Sequence, residues 1–110
     1  MARTWRERCA ARQARAEQRA ARLLALLPRA RDLLVERYGA SRVTLFGSLA
    51  TGEYRECSDV DLAVEGLAVL DYFPALSDLM ELLGGPVDLV CREQAPPSLA
   101  ERITEEGRDL

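Results

Sequence analysis

Apolar residues crowd into three short runs, Arg42–Phe46, Val60–Glu65 and Pro86–Cys91, each of strand length and rich in β-branched or large aliphatic side chains. Between and around them the spacing becomes helical. Leu76, Leu79, Met80 and Leu83 predict the buried stripe of a helix capped by Asp71, with Pro74 tolerated in its first turn. Ser98-Leu99-Ala100-Glu101 reads as a capping box opening a last helix that buries Leu99 and Ile103 and ends near Gly107. Ahead of the first strand, Pro28 suits a helical first turn, Leu33, Leu34 and Tyr38 supply an apolar face, and Gly39 stops the element. Upstream again, Thr4-Trp5-Arg6-Glu7 resembles a capping box, so a helix is expected from about Trp5 to Leu27, interrupted by Pro28. With a short helical turn after Phe46, the order is helix, helix, strand, helix, strand, helix, strand, helix. This predicts an α/β domain with a small mixed β-sheet packed with helices and an extra N-terminal helix.

The first helix differs from the rest. Its apolar content is mostly alanine until Leu23, Leu24, Leu26 and Leu27, which predicts little burial of its first half. We divide the chain into residues 1–27, an arginine/alanine-rich helical extension, and residues 28–110, the domain proper. The extension reads as a solvated helix, a docking helix for another chain, or a nucleic-acid contact. Charge sharpens the division. Residues 1–42 carry eleven arginines against four acids, a net +7, whereas residues 43–110 carry four arginines against fourteen acids, a net −10. The net charge of −3 and the lack of aromatic residues interleaved among the arginines disfavour nucleic acid as a partner. The lack of a spanning apolar run or signal-peptide core predicts a cytoplasmic protein without membrane contact. Cys9, Cys57 and Cys91 are odd in number and lack metal-ligand spacing, as expected of reduced thiols. There is no histidine. This removes His-based nucleophile schemes and leaves acid–base and metal chemistry to carboxylates.

The candidate chemistry lies in Val43–Val64. Gly47-Ser48 follows the first strand: the glycine permits close backbone approach, and the serine opens a helical turn whose free N–H groups suit phosphate. Asp59-Val60-Asp61 opens the second strand, where residues two apart share a face. Two carboxylates side by side call for a cation, and an all-oxygen pair suits Mg²⁺. Alone, a Gly-Ser after a strand is ordinarily a helix cap, and a lone Asp-x-Asp a solvated strand end. Their joint occurrence, ten residues apart (Leu49 to Ser58), points to nucleotide chemistry. Asp88 lies between Val87 and Leu89 in the third strand, so it faces away from the core, either as an exposed edge residue or as a functional one.

The Gly-Ser…Asp-x-Asp pattern and its flanks over about Pro28–Gly107 resemble the minimal nucleotidyltransferases of the DNA polymerase β superfamily. The resemblance implies that fold, and a catalytic and metal-binding triad of Asp59, Asp61 and Asp88 holding two Mg²⁺ ions, with Mn²⁺ as a substitute. It implies Gly47 and Ser48 as binders of the β- and γ-phosphates of ATP. It also implies an antitoxin that transfers AMP to a tyrosine of a HEPN-type toxin encoded nearby, in a hetero-oligomer. Two departures stand out: Thr51 occupies a place where many relatives carry arginine, and Glu56-Cys57 replaces a commoner loop sequence. Neutralisation by binding alone, and a nucleic-acid-binding regulator built on the basic helix, are the competing readings.

Overall fold

A computed structural model of the chain describes residues 5–55 and 58–110, with side chains from Ala11 onward. Thr4, Glu56, Cys57 and the side chains of Trp5 and Cys9 therefore lie outside the described residues.

The three apolar runs form strands: β1 (Arg42–Phe46), β2 (Val60–Glu65) and β3 (Val87–Cys91). β1 and β2 run antiparallel, whereas β2 and β3 run parallel, so the sheet is mixed as expected. A fourth strand, β4 (Arg108–Asp109), adds antiparallel to the other edge of β1, giving the order β3-β2-β1-β4. Two residues carry no readable periodicity, and β4 is held by side-chain bonds as well as by its backbone pairing. Arg42 donates from Nε and Nη2 to the two Asp109 carboxylate oxygens at 3.0 Å each. Thr44, the one buried polar residue among those described, donates its hydroxyl to Asp109 at 3.0 Å.

Side chains alternate across the sheet. Val43, Leu45, Leu62 and Val64 face α1 (Trp5–Asp32) and α3 (Tyr72–Leu83), while Phe46 and Ala63 face Ile103 of α4 (Pro97–Glu106). Asp61 and Asp88 share this second face.

Pro28 does not interrupt the first helix. α1 runs through it and continues into a π-helical turn, Leu33–Arg37. Ala16, Leu23, Leu27, Ala30 and Leu34 are buried, with Ala20 half-buried among them, so one stripe continues on both sides of the proline. Pro28 itself lies on the exposed side. An interior proline costs about 3 kcal/mol, and each buried leucine contributes about 2 kcal/mol, so packing outweighs the break. The expected lack of burial holds for residues 12–15, which are exposed, and fails from Ala16 onward.

Three smaller expectations are also corrected. Met80 is 44% exposed; the buried line of α3 is Ala75, Leu79 and Leu83, a ridge at four-residue spacing that small Ala75 lets approach the sheet closely. Asp71 makes no side-chain cap bond, because a 3₁₀ turn (Val69–Asp71) already holds it in helical conformation. Ser98 likewise caps nothing: α4 begins one residue earlier at Pro97, whose locked φ and missing N–H suit a first position. No helix among the described residues is long and apolar enough to cross a membrane.

Candidate active site

β1 ends at Phe46, and the chain turns at Gly47 into the single helical turn α2 (Ser48–Thr51). Gly47 has φ 77° and ψ −158°, a conformation essentially confined to glycine. A Cβ there would stand 2.1 Å from Asp61 Oδ2, so the glycine is required twice, by its backbone and by its neighbour. The two halves of the sequence motif are therefore in contact. Asp61 pairs with Phe46 on one side and with Asp88 on the other, at one level of the sheet.

Asp59 directly precedes β2 and is exposed, Asp61 is half-buried, and Asp88 is exposed on the edge strand β3. Among the described residues, no three acidic, histidine or cysteine side chains converge closely enough to hold a metal ion in common. The electrostatics still mark the place. The Asp61 carboxyl is pushed up to about 6, first by burial and then by the negative charge of Asp88, with smaller contributions from Asp59 and Glu106 and an opposing one from Arg102. Half-buried carboxylate charge with this much repulsion is stabilised by a cation, and the hard-oxygen donor set of Asp59, Asp61 and Asp88 fits Mg²⁺.

Two residues that the sequence reading did not pick complete the site. Glu106, near the end of α4, accepts the Gly47 N–H at 3.1 Å, so a carboxylate oxygen rests where the motif offers a donor to an anion. Arg102 donates to the same Glu106 oxygen at 3.1 Å, and its guanidinium lies 5.7 Å from the centre of the Phe46 ring. Their four-residue spacing reads only as a surface helix pair. What brings them here is Ile103, buried against Phe46, which presents its polar neighbours to the end of β1. Ser48 opens α2 as expected and lines a cleft of about 1590 Å³ beside Ser58.

Residues 31–110 match the family described as Polymerase beta, Nucleotidyltransferase. The chain belongs to this family. The match begins within α1 and spans the sheet, the Gly47 turn and all three aspartates. The polymerase β nucleotidyltransferase fold recurs in a solved structure, a minimal nucleotidyltransferase by designation, with a TM-score of 0.64 and 40% identity, covering 86% of this chain and 95% of that one. A chain of a solved MntA–HpeT toxin–antitoxin complex has a TM-score of 0.63 at 28% identity, covering 72% of this chain and 66% of its own. A sequence relative, "Protein adenylyltransferase MntA" of Thermococcus cleftensis, is 38% identical over 76 residues, 66% of this chain and 77% of its own length. The protein is a nucleotidyltransferase by family, and the contact of Gly47 with Asp61 lies within the matched segment.

Proposed function

We propose that this nucleotidyltransferase is a metal-dependent protein adenylyltransferase. It moves AMP from ATP onto a tyrosine hydroxyl of a HEPN-type toxin and thereby acts as its antitoxin. The observation that carries the reading is the packing of Gly47 on Asp61 with Asp88 level with it on the next strand, a donor turn beside a carboxylate group. The name of the Thermococcus relative and the toxin–antitoxin complex among the solved structures support the choice of acceptor class.

In this scheme Gly47 and Ser48 hold the β- and γ-phosphates, and Asp59, Asp61 and Asp88 would hold two Mg²⁺ ions. The ions supply charge neutralisation at the attacking and leaving oxygens. The acceptor oxygen forms a bond to the α-phosphorus as the bond from that phosphorus to the β-bridging oxygen breaks. Pyrophosphate departs with the electron pair, and the hydroxyl proton passes to Asp88, which is exposed on the edge strand. Residues 28–110 carry the Gly47 turn and the three aspartates, and the helical extension that precedes them packs on the same core through Leu23 and Leu27. The test is incubation of the protein and its partner with ATP labelled at the α-phosphate, with Mg²⁺ and with EDTA. Label on a partner tyrosine in Mg²⁺ alone is expected. A partner that is neutralised but never labelled would replace catalysis by binding.

A further inference from the structure

We propose that the N-terminal helix forms one wall of the nucleotide cleft, and that its Arg12 and Arg15 bind the β- and γ-phosphates of a nucleoside triphosphate. The inference rests on the nucleotidyltransferase reading above and adds residues outside the segment that matches the family, 31–110. Arg12, Arg15 and Ala16 line the same cleft of about 1590 Å³ as Ser48, Tyr54 and Ser58. Ser48 follows Gly47 and Ser58 precedes Asp59, so this space adjoins both halves of the site. The helix is held there. Ala16 is buried, Arg19 donates from Nε to the Tyr54 hydroxyl oxygen at 3.0 Å, and its Nη2 reaches the Gly84 carbonyl at 3.5 Å.

Charge decides the ligand. Besides Arg12 and Arg15 the cleft contains Arg55, against Glu17 and Glu53, which makes it a cationic stretch of a chain whose net charge is −3. Asp59, which follows Ser58 of the lining, repels a triphosphate, and arginine is the side chain whose forked donors best match phosphate oxygens. Arg12 and Arg15 are exposed and one helical turn apart, so both can reach a single ligand.

The test is calorimetry of the full chain with ATP and with AMP in Mg²⁺, comparing wild type, Arg12→Gln/Arg15→Gln and Arg22→Gln. Arg22 is exposed on the same helix but does not line the cleft. The double variant is expected to bind ATP about tenfold more weakly, to bind AMP as wild type does, and to melt at the wild-type temperature, while Arg22→Gln changes nothing. An unaltered Kd for ATP, or equal weakening of ATP and AMP, overturns the proposal. So does a double variant that keeps ATP but loses a single-stranded oligonucleotide, which would make the helix a nucleic-acid contact. A wild type that binds ATP through these arginines yet labels no partner would overturn the transfer reaction while supporting the arginine wall.

Discussion

Replacing Asp61 by asparagine should make the metal-free protein more stable, in a pH-dependent way that can be worked from its surroundings. Burial and the charge of Asp88 raise the folded carboxyl from 3.8 to about 6. The folded state therefore binds a proton more tightly than the unfolded chain between these values, and stability falls as pH rises through that window. Below about pH 4 both states are protonated and the carboxyl costs nothing. Above about pH 6 the full penalty is present. A rise of that size corresponds to a ceiling of roughly 3 kcal/mol. Asp61 is only half-buried, and screening by solvent reduces this to about 1 kcal/mol. An asparagine side chain has nearly the same shape and no charge, so urea unfolding in EDTA at pH 7.5 should show Asp61→Asn more stable by about 1 kcal/mol, equivalent to roughly 4 °C in Tm. At pH 4 the two proteins should coincide. Millimolar Mg²⁺ should then stabilise wild type and leave the variant nearly unmoved, and AMP transfer by the variant should be lost. A variant less stable than wild type at both pH values would mean that the carboxylate bonds to the fold itself, and the reasoning would fail.

Gly47→Ala should cost about 2 kcal/mol in urea unfolding, because alanine neither adopts the required backbone nor clears Asp61, and it should abolish ATP binding by calorimetry. Glu106→Gln removes a negative charge from the Gly47 N–H and from the surroundings of Asp61. The Asp61 carboxyl, followed by carbon-detected NMR titration, should shift down, and ATP should bind about threefold more tightly; an unmoved titration would mean that Glu106 does not face the site in solution. Leu27→Ala should lower stability by about 3 kcal/mol, marking α1 as part of the core, and a loss under about 1 kcal/mol would make the helix peripheral.

The active-site half of the fold was legible because its signals are local. β-branched runs, Gly47 at a turn and alternation around Asp61 and Asp88 each state their own conformation, and β1, β2, α2 and β3 form within a residue of where these patterns place them. What escaped was non-local. β4 is two residues long and is fixed by Arg42 and Thr44, more than sixty positions away. Glu106 and Arg102 reach the site only because Ile103 packs under Phe46. No window of sequence around either residue carries that information. The capping boxes failed for a different reason: proline at the first helical position and a preceding 3₁₀ turn each supplied a start that the polar side chain was not needed to make.

Pro28 shows how a local rule can mislead when a longer pattern overrules it. Read one residue at a time, a proline after two leucines ends a helix. Read as a stripe, residues 16, 20, 23, 27, 30 and 34 alternate steps of four and three, the interval of a single helical face, and Pro28 falls off that face. The alanines at 16 and 20 looked too small to be buried, yet small residues are what let the helix lie close beside α3 and the Tyr54 loop. Close approach in turn brings Arg12 and Arg15 to the cleft. The helix that composition set apart from the domain is thereby anchored to it by its leucines and aimed at its active site by its arginines. Segments on either side of Pro28 therefore act through one rigid rod: core packing at Leu27 and Leu34 determines where Arg12 stands.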